Sequence, residues 1–170
     1  MDSSQGLVYN TALGIVQHPE DAEDVAQEVF LQLYESIRSF KGESKLSTWL
    51  YRITISKAMD HLRKKKRKKR FAFVQSLFGQ NDELIHDPPD FVHPGVKLDN
   101  KEKARELFRA IGKLPSKQKK AFTLHRIEGL SYQEISEIMQ LSVASVESLL
   151  HRSRKNLRSL LETFYRDEDG

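Results

Sequence analysis

Apolar residues recur at steps of three and four through two separate stretches of this chain, and between them the pattern lapses. In the first stretch Ala22, Val25, Ala26, Val29, Phe30, Leu33, Ile37 and Phe40 trace one stripe. That spacing predicts an amphipathic helix. Pro19 suits its first turn, and Glu20, Asp21, Glu23 and Asp24 suit the positive end of a helix dipole. Leu7 to Gln17 predicts a shorter, mostly apolar helix, closed by His18-Pro19 because the residue before proline avoids helical dihedrals. Lys41-Gly42-Glu43-Ser44-Lys45 breaks the pattern. A further helix opens near Ser47 or Thr48, with Trp49, Leu50, Ile53, Ile55, Met59 and Leu62 on its apolar side.

From Phe71 to about Leu98 no period survives. Asn81-Asp82, Pro88-Pro89 and Pro94-Gly95 mark turns, and an irregular stretch of this length predicts an interdomain linker. Within it Phe71-Ala72-Phe73-Val74 and Leu77-Phe78 suit a short docked segment. The helical period resumes near Asp99 with Ala104, Leu107, Phe108, Ile111 and Leu114. Pro115 opens a helix carrying Ala121, Phe122, Leu124 and Ile127, and Gly129 sits where a left-handed cap belongs. Ser131-Tyr132-Gln133-Glu134 has capping-box spacing. After the turn Gln140-Leu141-Ser142, a long helix follows on Val146, Leu150, Ser153, Leu157, Leu160 and Leu161. The expected fold is all-α: two small helical domains, residues 1–70 and 99–170, joined by a flexible linker, 71–98. The second contains a helix-turn-helix.

Charge sharpens this picture at one place. The chain has 28 Lys+Arg against 24 Asp+Glu, a net of +4. Arg63 to Arg70 is an unbroken run of eight cations, and outside it the balance is acidic. A run of this kind is either a solvated tether or a site for a polyanion. The last helix adds His151, Arg152, Arg154, Lys155 and Arg158 on its polar faces, a pattern suited to a helix in the major groove. The absence of cysteine excludes disulfides, thiolate metal sites and thiol nucleophiles. No apolar run reaches the roughly 20 residues a membrane span needs, and no signal peptide is legible, so the expectation is a cytoplasmic protein without membrane insertion. His86, Asp87, Asp90 and His93 cluster in the linker, but the surrounding prolines favour solvated loop over a metal site. No phosphate loop, nucleophile elbow or dinucleotide fingerprint is present, and neither catalysis nor a cofactor is expected.

Two motif sets make the reading specific. Leu114-Pro115-Ser116-Lys117-Gln118, Glu128-Gly129-Leu130-Ser131-Tyr132-Gln133-Glu134-Ile135, Ser142-Val143 and His151-Arg152-Ser153-Arg154-Lys155-Asn156-Leu157 resemble region 4 of bacterial RNA polymerase sigma factors of the extracytoplasmic-function (ECF) type. Asp21 to Phe30, Phe40 to Ser44, Thr48 to Ile53 and Asp60-His61-Leu62-Arg63 resemble region 2. The resemblance spans about nine-tenths of the chain. It implies core RNA polymerase, promoter DNA both duplex and melted, and an anti-sigma factor as partners. It implies polymerase contacts at Asp21, Asp24, Gln27, Glu28 and Leu31. It implies −10 contacts at Lys41, Ser44, Lys45, Thr48, Trp49, Arg52, Lys57, Arg63, Lys64, Lys65 and Arg67. It implies −35 contacts at Ser131, Tyr132, Ser142, Ser145, Glu147, Ser148, His151, Arg152, Arg154 and Lys155. Trp49 shares the stripe with Ile53, so core packing is favoured over base stacking for it.

The chain departs from the family pattern at three places. Glu147-Ser148-Leu149 stands where the family commonly flanks the serine with Lys and Arg, and Ser56 stands near a common Asn. The family also has about one more helix ahead of the position of Leu7, so a chain starting inside region 2 is expected. The alternatives are a helix-turn-helix regulator acting without polymerase and a sigma-like fragment that only sequesters a partner.

Overall fold

The computed structural model describes residues 2–78, 93 and 101–168. Every regular element among them is helical. In chain order these are α1 (Asp2–Val16), α2 (Pro19–Ser36) with a 3₁₀ turn (Ile37–Ser39), α3 (Leu46–Phe78), α4 (Lys101–Lys113), α5 (Ser116–Phe122) running into one π turn (Thr123–Ile127), α6 (Tyr132–Met139) and α7 (Val143–Glu168). The all-α architecture, with two helical regions and a helix-turn-helix in the second, is as the periodicity predicts.

In the first region α1, α2 and α3 pack on one another. Val8, Ala12, Ala22, Val25, Val29, Leu50 and Ala58 are buried where they meet. These are the stripe residues, and burying each aliphatic side chain of Val or Leu size contributes about 1.5–3 kcal/mol. In the second region α5 and α6 pack on α7, and α4 closes its far end. Phe108, Ile111, Leu124, Ile135, Val146, Leu150 and Leu157 form the core there. Ser153 lies in this interface fully buried, its Oγ donating to the Leu149 carbonyl at 2.7 Å, so its place on an apolar stripe costs no unsatisfied group.

The helix ends follow local chemistry. Ser131 Oγ accepts from the Glu134 N–H, and the Glu134 carboxylate accepts from the Ser131 N–H at 2.8 Å, a complete capping box. Gly129 has φ +71°, as its cap position requires. Gln17 and Gln140 end α1 and α6 in the same left-handed region without being glycine. Gln17 is held there by tertiary contact: its Nε2 donates to the Phe108 carbonyl at 2.6 Å, across the two regions.

One expectation fails at the basic run. The helix continues beyond Arg70 to Phe78, so residues 71–78, expected to be irregular, are helical. Lys, Arg, Ala, Gln and Leu all have high helix propensity, and no Gly or Pro interrupts the chain before Gly79. Apolar period was the wrong test for a stretch that stands largely exposed. The linker positions 79–92 and 94–100 lie outside the described residues.

The two regions pack directly on each other. Their buried side chains form one continuous cluster. α1 approaches the π turn at Gly14, where an added Cβ would lie 3.0 Å from Thr123 Cγ2 and 3.3 Å from Ile127 Cδ1. His93 is buried against α1 and α4: its Nε2–H donates to the Asn10 carbonyl at 2.8 Å and its ring stacks on Phe108 at 5.9 Å. Burial holds its pKa below the usual histidine value. His93 is therefore a packing residue with its ring engaged, whereas His86, Asp87 and Asp90 lie outside the described residues.

Candidate functional site

Three surfaces emerge from this packing. The first is on α2. Its stripe is buried, which turns Asp24, Gln27, Glu28 and Leu31 outward together at i, i+3, i+4 and i+7. Leu31 is 65% exposed, and Tyr34 beside it is 83% exposed. Sequence reading missed Tyr34; the signal was an aromatic off the stripe, three residues beyond Leu31. Exposed apolar side chains ringed by acids have no role within this fold.

Asp21 does not join that face. Its carboxylate accepts from Lys65 Nζ at 2.6 Å and lies 3.1 Å from His61 Nε2, tying α2 to α3. Burial pushes the Asp21 carboxyl up, but the bonds and charges of Lys65 and His61 outweigh it, and the net shift is below the usual carboxylate value. A lowered pKa stabilises the fold above the ordinary value near 4 and ceases to do so as pH falls through the lowered one. Asp21→Ala is expected to cost about 1 kcal/mol at pH 7 and less at pH 3, read by thermal unfolding.

The second surface joins the loop before α3 to the start of that helix. Lys41 and Lys45 are exposed and Ser44 is half-buried. Trp49 packs against the core and stacks on Phe40 with centroids 4.9 Å apart, in keeping with a packing role. Thr48 is buried, which corrects its assignment as a DNA contact: it points into the helix packing. Lys57 is half-buried, 3.9 Å from Glu28. Arg52 is already engaged. Its guanidinium donates to the Glu137 carbonyl at 2.6 Å and the Ile138 carbonyl at 3.3 Å, capping the C-terminal end of α6. Next to it Tyr51 donates to Glu128 Oε2 at 3.4 Å. Burial raises the Glu128 carboxyl to about 7, against the lowering effect of its hydrogen bonds. Between the regions lies a cavity of about 390 Å³ whose lining includes Arg52, Arg63, Lys117 and Lys120. Burial, with Arg63 and Lys117 nearby, lowers the pKa of Lys120. In the basic run, Arg63 pairs with Asp60 and Lys65 with Asp21, while Lys64 and Arg67 are exposed.

The third surface is on α7. Val146, Leu149, Leu150, Ser153 and Leu157 are buried, so Ser142, Ser145, Glu147, Ser148, His151, Arg152, Arg154 and Lys155 all face solvent. Ser142 caps the helix, accepting from the Ser145 N–H at 3.1 Å. Glu147, Ser148, His151, Arg152 and Arg154 line one shallow hollow. Leu149 belongs to the core, so the departure at 147–149 leaves a single acid on the exposed face. Ser131 and Tyr132 serve structure: the first closes the capping box and the second is half-buried, its ring edge-on to His125 at 5.1 Å.

Comparison with known proteins identifies both helical regions. Residues 1–68 match the model of Sigma-70 region 2, and residues 104–157 match that of Sigma-70, region 4. The ECF RNA polymerase sigma-E factor of Haemophilus influenzae is 35% identical over 142 residues, covering 84% of this chain and 75% of that protein. The RNA polymerase sigma-H factor of Pseudomonas aeruginosa is 33% identical over 163 residues, covering 96% and 84%. In structure the fold resembles the sigma factor RpoE of Bartonella quintana, solved with the anti-sigma factor NepR (TM-score 0.66, 21% identity, 94% and 92% of the chains). It also resembles CnrH, solved with the cytosolic domain of CnrY (TM-score 0.62, 22% identity, 95% and 84%). With a relative this similar over most of both chains, and both regions matched in order, the chain belongs to the ECF-type sigma factors, non-catalytic proteins that direct bacterial RNA polymerase to promoters.

Proposed function

We propose a division of that task among the three surfaces. The outward face of α2, with Asp24, Gln27, Glu28, Leu31 and Tyr34, docks on core RNA polymerase. The loop from Lys41 to Lys45, the start of α3 and the exposed cations at 64 and 67 hold the opened −10 strand. The face of α7 from Ser142 to Lys155 enters the −35 duplex, where Arg152 and Arg154 reach phosphates or base edges and Glu147 suits a cytosine amino group. The observation that carries this reading is the sidedness of α2 and α7. Each buries one face, which leaves most of the chemistry on the other outside the packing.

In the docked arrangement Arg52 is held by α6, so full use of the −10 surface requires the regions to separate. The similar fold solved with the anti-sigma factor NepR supports a partner of that kind for this chain, one that controls its availability. The reading is tested by run-off transcription from a promoter library with purified core polymerase. Initiation that depends on the added chain supports it; duplex binding with no effect on transcription overturns it in favour of a polymerase-independent regulator. Replacing Arg152 and Arg154 by Ala is expected to weaken −35 duplex binding by about tenfold or more. The log-log salt slope should flatten by about 0.9 for each phosphate that is no longer neutralised. A mobility-shift titration at several salt concentrations reads both.

A further inference from the structure

The Sigma-70 matches leave the tip of α3 unclaimed: the region 2 match stops at residue 68 and the region 4 match starts at 104, yet α3 continues to Phe78. Its last turns expose Phe71 and Leu77 at 65% each, Phe73 at 46% and Val74 at 44%. At 3.6 residues per turn these four fall within an arc of about 160°. Ala72, Gln75 and Ser76 occupy the remainder. Immediately before this apolar tip stand the eight cations. Two are paired, Arg63 with Asp60 and Lys65 with Asp21. Lys64, Lys66, Arg67, Lys68, Lys69 and Arg70 have no carboxylate within ion-pair distance among the described residues, and all six stand exposed to solvent.

We propose that residues 64–77 of α3 form a peripheral site for bilayers rich in anionic lipid. The apolar tip enters the boundary between headgroups and acyl chains, and the cationic collar rests on lipid phosphates. Charge complementarity is the first reason: the collar has cations at every azimuth of the helix, which suits an extended field of negative charge better than a single facing groove. The second is the make-up of the tip. Val74 and Leu77 lie between the two phenylalanines around the helix, and aliphatic side chains have no face on which an unstacked base can lie, whereas a single-strand platform needs aromatics. The mode is surface adsorption, since no described helix is long and apolar enough to cross a membrane. Lys64 and Arg67 belong both to this collar and to the surface assigned above to the opened promoter strand, so lipid and DNA compete for them.

The test is sedimentation of the full chain with vesicles of phosphatidylcholine alone and of phosphatidylcholine mixed with phosphatidylglycerol. Binding is expected only to the mixed vesicles. The triple variant Phe71→Ser, Phe73→Ser, Leu77→Ser is expected to lower that binding at least ~tenfold, because apolar insertion is lost while the charge is kept. Its thermal midpoint is expected to match that of the parent. Absence of vesicle binding overturns the proposal. So does a triple variant that binds mixed vesicles like the parent, which would leave only diffuse charge attraction. A variant that loses affinity for a single-stranded oligonucleotide but keeps vesicle binding overturns it in favour of a base-stacking platform.

Discussion

Replacing Asp24, Gln27, Glu28 and Leu31 together by alanine is expected to weaken binding to core RNA polymerase about a hundredfold, close to 2.7 kcal/mol, with the fold unchanged. The physical basis is the separation of roles on α2. Ala22, Val25 and Val29 bury the inner face, and none of the four substitutions touches it. Alanine also raises helix propensity at each position, so the helix itself is preserved. What disappears is an exposed leucine beside an exposed tyrosine and three polar groups around them, the make-up of a small interface with an apolar centre and polar rim. Fluorescence titration against purified core, with circular dichroism as the control, checks both halves. Unchanged affinity would remove α2 as the docking element. A further variant, Tyr34→Ala, is expected to account for a good share of the loss if the apolar centre dominates.

Closure of the two regions is expected to weaken as pH rises from about 5 to 8, by roughly seventyfold in the closing equilibrium. The group responsible is Glu128. Its carboxyl is raised to about 7 in the docked arrangement from an ordinary value of 4.5. Between those values the docked form retains a proton that the separated form releases. Docking is therefore strongest below the ordinary value and is lost progressively as pH climbs through the raised one. The carboxyl lies near Thr11 of α1 and Tyr51 of α3, and the Tyr51 hydroxyl is pushed up in turn by burial and by Glu128 and Glu134. The buried Thr11 hydroxyl, like that of Tyr51, favours the charged carboxylate, but burial of Glu128 outweighs both. Energy transfer between labels on α2 and α7 reads the closure. Glu128→Gln should flatten the pH response and hold the regions closed at pH 8, and Gly14→Ile should open them at every pH by driving a side chain into Thr123 and Ile127. A pH response that persists in Glu128→Gln would assign the effect elsewhere.

The surfaces were unequally legible in the sequence. The α7 face could be read almost whole, because a regular 3.6-residue period sorts every position of a long helix into core or solvent. His151, Arg152, Arg154 and Lys155 all stand where that period puts them. On α2 the same rule turned Asp24, Gln27, Glu28 and Leu31 off the stripe, whereas Asp21, which only the family resemblance grouped with them, is held by a partner on another helix. Around the start of α3 the period was less informative. Trp49 packs as its place on the stripe predicts, but Thr48 is buried and Arg52 caps a helix 85 residues away, neither of which local spacing encodes. The end of α3 was misread for a different reason: an exposed helix needs propensity and not an apolar stripe.

By itself the sequence determined the all-α class, the order of the helices, their caps at Ser131 and Gly129, the two signature regions and the isolation of positive charge in one run. These are local properties, set by spacing within a few turns of chain. Only the tertiary structure decided that the two regions close on each other through Gly14, His93 and Arg52, that Asp21 serves as a staple, and that the charged run ends in an exposed apolar tip. Those outcomes depend on which groups meet across long separations in the chain. The energies that choose among them, from desolvation and long-range hydrogen bonds, exist only once the partners are in place.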